Sequence, residues 1–245
     1  MSGLLTVLGL ALLPAFGNFS GGLLAEFRQT SKRNLNRALH AAAGIVLAIV
    51  AVELVPRALE NSSGWIVGIA FGLGGLAYVG IERLVERLQK GGGGESTSMW
   101  MIYIAVAVDL FSDGLMIGAG SAVSPGLALV LALGQVLADV PEGFATIANL
   151  KDKGVPRRRR LLLGAAFAIP VLVAAALAYT LLRGQSDALK MAALVFTAGL
   201  LTVAAVEDMI TEAHESAQDA PGSVLAMIGG FVLFTFVSAG LGGGS

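Results

Sequence analysis

Five acidic residues lie inside stretches of the chain that are otherwise as apolar as membrane-spanning helices. A charged side chain at the centre of a bilayer costs at least about 2.5–3.5 kcal/mol. Because the five occur on three separate segments at helical spacing, we expect them to bind something positively charged. Their oxygens predict a cation pathway through the membrane. These residues are Asp109, Asp113, Asp139, Glu142 and Asp208.

The spacing of these acids places them in pairs. Asp109 and Asp113 are four residues apart, and Asp139 and Glu142 are three apart, so each pair shares one face of a helix. Neighbouring carboxylates repel each other unless a cation or a proton neutralises them. The two segments contain no Lys or Arg that could do so. Two interpretations stay open: acids that bind a metal ion, and protonated acids that hold the bundle together or relay protons.

The composition excludes an ordinary soluble domain. Hydrophobic residues make up 56% of the 245 residues and charged residues 13%, whereas soluble domains have about 25% charged residues. The 33 glycines are typical of helices that pack closely in lipid. Because the chain has no cysteine, it can form neither a disulfide nor a thiolate metal site.

Eight stretches are long enough to cross about 30 Å of hydrocarbon. They predict an all-α integral membrane protein with short connections, a single domain over residues 1–245. The first stretch lacks the basic start of a signal peptide, so we predict that this helix is retained in the protein. A break of the helix at Pro14 and Gly17 stays open. The predicted helices, numbered 1 to 8, are residues 3–27, 38–59, 64–83, 99–121, 125–149, 161–182, 189–213 and 222–242.

Basic residues predict the orientation of the chain. Four, three and six Lys or Arg follow predicted helices 1, 3 and 5, whereas the opposite side carries only Arg57, Arg183 and Lys190. Basic loops stay in the cytoplasm. Both termini are therefore expected outside the membrane, in a cell membrane of the bacterial inner-membrane type. We interpret the basic run at 157–160 as part of this topology signal and not as a nucleic-acid site.

Short motifs around the acids form a recognisable series. Helix 4 contains Asp113-Gly114, helix 5 contains Asp139-Val140-Pro141-Glu142-Gly143, and helix 7 begins its acidic stretch with Glu207-Asp208. Helix 2 adds Glu53-Leu54-Val55-Pro56. In order and location these motifs resemble the signature sequences of the ZIP (Zrt-, Irt-like protein) family of divalent-metal transporters. The resemblance extends over the whole chain.

The resemblance implies a fold and a set of ligands. The fold would be a 3+2+3 arrangement, in which helices 1–3 and 6–8 are inverted repeats on either side of helices 4 and 5. A binuclear site would lie between the central helices, with Glu142 bridging the two ions. The first ion would be held by Asp109, Asp113 and Glu142, and the second by Asp139, Glu142 and Asp208. The predicted orientation adds the two mouths of the pathway: Glu53, on the outer half of helix 2, would line the entrance, and His40, Glu212 and His214, towards the cytoplasm, the exit.

The chain departs from the family pattern where the family has nitrogen or amide ligands. Asp109 and Glu207 replace histidines, Leu110 replaces an asparagine, and Ala138 replaces a histidine or glutamine. Zinc favours histidine and cysteine, whereas all-oxygen sites suit harder ions such as Mn²⁺ or Mg²⁺, with Fe²⁺ between them. Whether the site binds one ion or two stays open.

These observations predict a transporter and not an enzyme. Its substrate would be a divalent metal ion, with Zn²⁺, Mn²⁺, Fe²⁺ and Cd²⁺ as candidates, carried towards the cytoplasm by alternating access. No catalytic cofactor is expected, the partner is the lipid bilayer, and a homodimer stays open. One alternative is a proton- or sodium-coupled carrier of another solute. A more remote one is an intramembrane aspartyl hydrolase, although its usual Gly-x-Gly-Asp motif is missing.

Overall fold

The computed structural model of the chain describes residues 2–28, 31–89, 95–211 and 220–242. Within these ranges the chain is helical and has no strand, and eight helices are long and apolar enough to cross a membrane. The predicted all-α class and the eight spans are therefore confirmed. The helices are α1 (Ser2–Phe27), α2 (Lys32–Asn61), α3 (Gly64–Gln89), α4 (Glu95–Val123), α5 (Pro125–Asp152), α6 (Arg157–Leu182), α7 (Asp187–Ala204) and α8 (Ala220–Gly240).

Several helix ends differ from the prediction. The break considered at Pro14 is wrong, because α1 is one continuous helix of 26 residues. Membrane helices tolerate proline when neighbouring helices support the backbone, and α1 packs closely against α5 from Gly17 onwards. Helix α4 begins at Glu95, earlier than predicted, and α6 is interrupted at Phe167.

A π-helical segment that includes an acidic residue occurs within α2 and at the end of α7. In α2 the segment is Ile49–Leu54, which includes Glu53. In α7 the segment is Ala205–Ile210, which directly follows the α-helical part and includes the backbone of Asp208. Single π turns occur frequently at functional sites. Helical spacing alone does not predict such segments.

The helices pack in two groups of four. In the first group α1 lies along α5 and α6 lies along α4, and α4 also contacts α5. In the second group α8 lies along α2 and α3 along α7. The groups meet where α2 contacts α5 and where α4 contacts α7. These four helices are also the most buried ones, whereas only 22% of the most apolar window of α3 and of α8 is buried.

Glycines bring α1 and α5 into backbone contact. A Cβ at Gly21 would collide with the carbonyl oxygen of Val140, and one at Gly143 with that of Asn18. In lipid such small-residue contacts replace the hydrophobic effect as the source of helix association. The α5 segment that carries Asp139 is thereby fixed against α1.

We expect Gly21→Ala to weaken this packing strongly. The added methyl group meets backbone on α5, which cannot move aside as a flexible side chain would. The melting temperature of the protein in detergent should fall clearly, and Gly9→Ala is the matched control, because a Cβ at Gly9 meets nothing within 4 Å. Equal melting temperatures for the two variants would contradict the close α1–α5 contact.

A buried ion pair connects α1 to α6. The Nε and Nη2 atoms of Arg160 lie 2.6 and 2.8 Å from the two carboxylate oxygens of Glu26. The Arg160 side chain is 10% exposed and that of Glu26 is 3% exposed. Arg160 therefore has a structural partner in addition to its place in the basic run.

We expect Glu26→Ala to destabilise the protein by more than the ~1 kcal/mol of an exposed pair, because the Arg160 guanidinium loses its carboxylate and keeps its hydrogen bond to the carbonyl oxygen of Val155. Adding Arg160→Met should recover part of this loss. Asp187→Ala breaks an exposed 3.0 Å pair with Lys190 and should cost less than about 1 kcal/mol. Chemical unfolding in detergent measures all three, and a Glu26→Ala loss as small as that of Asp187→Ala would count against the pair.

Candidate metal site

Three aspartates from two helices converge in the interior of the bundle. Asp109 and Asp113 come from successive turns of α4, and Asp139 comes from α5. Each offers a carboxylate oxygen, and these oxygens all lie within 4.8 Å of one another. Asp109 is 5% exposed, and Asp113 and Asp139 are completely buried. Three of the five predicted acids therefore form one cluster.

The cluster contains carboxylate oxygens with no hydrogen-bond partner among the described residues. They are both side-chain oxygens of Asp139 and the Oδ2 atom of Asp113. A buried acceptor that lacks a donor costs about 1–3 kcal/mol, and more if it is charged. Converging oxygens that lack donors are the arrangement that a hard cation stabilises.

Helix α1 packs against the part of α5 that carries Asp139 and Glu142. A Cβ added to Gly17 would lie 3.3 Å from the Cβ of Asp139, so glycine leaves room for this aspartate. Next to it, the buried Asn18 places its Nδ2 atom 3.4 Å from Oε2 of Glu142. Asn18 is a residue that the sequence analysis did not single out as part of a site.

Gln135 is a second residue that the sequence analysis missed. It is 1% exposed, and its Nε2 donates a hydrogen bond to Oδ1 of Asp113 across the α4–α5 contact. Its Oε1 atom is buried and has no hydrogen-bond partner within the described part of the chain. Its position in the sequence could have indicated a role, because Gln135 lies four residues before Asp139 and therefore on the same face of α5.

A cavity of about 420 Å³ leads away from the cluster. It starts at Asp109 and Glu142 and reaches Lys153 just beyond the end of α5. Its walls come from α4, α5 and the region around the π segment of α7. The lining residues are Ile102, Ala105, Val106, Asp109, Glu142, Thr146, Asn149, Lys153, Glu207, Met209 and Thr211.

The remaining predicted ligands are placed as follows. Glu142 is 7% exposed and lines the cavity one turn from Asp139, so it lies beside the cluster. The backbone of Asp208 belongs to the π segment of α7, and its side chain is outside the described residues. Glu212 and His214 also lie outside the described residues.

The predicted entrance and exit residues on α2 are both buried. Glu53 is completely buried, and its two carboxylate oxygens accept hydrogen bonds from Arg57 at 3.0 Å and from Ser238. His40 lies more than two turns inside α2, with Nδ1 2.9 Å from the carbonyl oxygen of Asn36. His40 is buried inside α2 and not at its end because the helix starts at Lys32 and not, as predicted, at residue 38.

Two of the four positions where the family pattern has amide or imidazole ligands are occupied by apolar residues. Leu110 is completely buried in a hydrophobic cluster with residues of α1 and α6. Ala138 is completely buried in a second cluster that contains Ile49 and Phe234. These two residues contribute to helix packing, so the site keeps oxygen donors.

Comparison with known protein families agrees with this geometry. The family model described as "ZIP Zinc transporter" matches residues 89–238, more than half of the chain and all three clustered aspartates. The chain belongs to the ZIP zinc transporter family. It is therefore a multi-pass membrane protein of a family that transports zinc and other divalent metal ions. The comparison with curated proteins finds no match.

Proposed function

We propose that this ZIP family protein carries divalent metal ions towards the cytoplasm by alternating access through the site between α4 and α5. The observation that carries the proposal is the convergence of Asp109, Asp113 and Asp139, whose oxygens lie within 4.8 Å of one another. In this interior the aspartate oxygens replace the water that surrounds the ion in solution. Glu142 lies next along α5 and receives the ion as it leaves the cluster, with Asp208 as a further ligand.

The donor atoms favour a hard cation over zinc. The cluster offers carboxylate oxygens, with neither histidine nor cysteine among its three members. Zinc affinity depends strongly on nitrogen and sulfur donors, whereas Mn²⁺ accepts oxygen donors readily. We therefore propose Mn²⁺ or Fe²⁺ as the preferred substrate, with Zn²⁺ and Cd²⁺ as weaker ones.

The cavity gives the ion its route to the cytoplasm. Its acidic lining continues from Asp109 and Glu142 to Glu207, so a cation meets oxygen donors along the way. We propose that the side of the membrane with Lys153 is cytoplasmic, as the basic loops predict, and that both termini lie outside. His40, Glu212 and His214 are the proposed exit residues, and Glu53 the proposed entrance residue.

The packing of the helices supports the proposed 3+2+3 arrangement as one domain over residues 1–245. In such a repeat α1, α2 and α3 correspond to α6, α7 and α8, and α4 corresponds to α5. The contact of α1 with α5 then has its counterpart in the contact of α6 with α4. The contact of α2 with α8 likewise has its counterpart in that of α7 with α3, and all four contacts exist. The two π segments also fall on corresponding helices, α2 and α7. Repeats of this kind are the usual basis of alternating access.

Thermal stabilisation tests the proposed substrate. A ligand that binds the folded protein at 100 times its Kd raises stability by about 2.7 kcal/mol. We expect the melting temperature of the purified protein to rise with Mn²⁺ or Fe²⁺, and less with Zn²⁺ or Cd²⁺ at equal concentration. A melting temperature that responds to pH or Na⁺ and to none of these ions would instead indicate a proton- or sodium-coupled carrier of another solute.

A further inference from the structure

Gln135 is an uncharged residue that contacts one of the clustered aspartates directly. Its amide lies against Asp113, to which Nε2 donates a hydrogen bond, and the side chain is 1% exposed. The Oε1 atom is bonded to the same carbon as Nε2, so it also lies close to Asp113. Within the described ranges, however, no donor reaches Oε1.

An unpartnered amide oxygen is costly in this position. Burying an amide without a complete set of hydrogen bonds costs about 1–3 kcal/mol on mutational scales, and an apolar residue of similar length would avoid this cost. The other unpartnered oxygens nearby belong to Asp113 and Asp139. The atoms that lack donors in this region are therefore all oxygens, and they belong to two aspartates of the cluster and to the glutamine that contacts one of them.

We infer that Gln135 is a neutral ligand of the transported cation and contributes its Oε1 atom beside the three aspartates. The inference rests on the proposed function, since it assigns one more donor to the same site. When the site is empty, the amide N–H holds Asp113 in place. When a cation binds, Asp113 turns to the ion, and rotation of the amide about its last bond brings Oε1 to the ion as well.

A neutral donor suits a site that must release its ion. Three ionised aspartates around a divalent cation would already leave one negative charge in excess. A further carboxylate would hold the ion more firmly, whereas an amide oxygen completes the coordination shell without adding charge. Conduction requires binding that is favourable enough for entry and weak enough for release.

The test is the Kd of the purified protein for Mn²⁺ and for Zn²⁺, measured by calorimetry on three variants. Gln135→Met keeps the side-chain length but removes the oxygen, so we expect Mn²⁺ binding to weaken by about tenfold or more. Gln135→His supplies a nitrogen donor, so the ratio of Zn²⁺ to Mn²⁺ affinity should rise by about tenfold or more. Gln185→His is the matched control on an exposed loop and should change neither Kd.

The outcomes separate this inference from the proposed function. If the wild-type protein binds neither ion saturably, the proposed function fails. If the wild type binds but Gln135→Met retains its Kd, or if Gln135→His changes both Kd values by the same factor, only the inference about Gln135 is overturned. Should Gln135→His not elute as a single species, Gln135→Asn answers the same question, because it withdraws the amide by one carbon; an unchanged Mn²⁺ Kd would again overturn the inference.

Discussion

Asp139→Asn should abolish saturable uptake of divalent cations into liposomes that contain the purified protein. Asparagine has the shape of aspartate, so the packing against Gly17 is retained while the charge is removed. Asp139 is completely buried, and neither of its oxygens has a hydrogen-bond partner in the described part of the structure. Loss of a residue that only orients a ligand typically costs 10- to 100-fold in metal affinity, so loss of a ligand should cost about 100-fold or more.

Asp187→Asn is the control for this experiment, because that aspartate is 80% exposed at the start of α7, remote in sequence from the cluster. It should transport like the wild type. Asp139→Asn is also expected to melt at the wild-type temperature or above, since it relieves the repulsion between buried carboxylates. Wild-type uptake by Asp139→Asn, with the same concentration dependence, would rule out Asp139 as a ligand.

Asn149→Cys should react with a membrane-impermeant thiol reagent from one side of the membrane only. The natural chain has no cysteine, so a single introduced thiol gives an unambiguous signal. Asn149 lines the cavity between Glu142 and Lys153. Labelling is therefore expected from the side that carries the basic loops, which we propose to be cytoplasmic, and a bound divalent ion should slow it.

Thr197→Cys is the matched control, because Thr197 lies on α7, is 2% exposed and does not line this cavity. It should stay unlabelled from both sides. Labelling of Asn149→Cys from the opposite side would reverse the proposed orientation. Equal labelling from both sides would mean that the cavity does not end at the cluster.

The number and type of helices could be predicted from the sequence because length and hydropathy determine them. A stretch of about 20 apolar residues has no other stable state in a bilayer than a helix. The failures concern places where neighbouring helices decide the outcome. Pro14 suggested a break, yet α1 is continuous, and it packs closely against α5 from Gly17 onwards. Hydropathy predicts a start of α2 at residue 38, but the helix begins at Lys32 with a cap from Ser31.

The acidic members of the cluster could be predicted because a charge in an apolar helix is conspicuous. The spacing of Asp109 and Asp113 puts both on one face of α4, and the structure brings Asp139 of α5 to them. Gln135 and Asn18 were missed because an uncharged polar residue in a membrane helix is common, and only its neighbours show whether it belongs to a site. Which acids bind the same ion, in contrast, depends on the distance between α4 and α5, and the residue spacing within one helix does not give that distance.

The π segment of α2 also determines the direction of every side chain that follows it. An α-helix turns by about 100° per residue, so deleting one residue from Ile49–Leu54 would rotate the rest of α2 by that angle. If the deleted residue precedes Glu53, the buried Glu53 carboxylate turns away from Ser238 of α8 and carries Arg57 with it. A protein shortened by this single residue would still cross the membrane, but with Glu53 separated from its partner on the neighbouring helix. The rotation of α2 about its own axis is therefore as strictly constrained as the length of the helix.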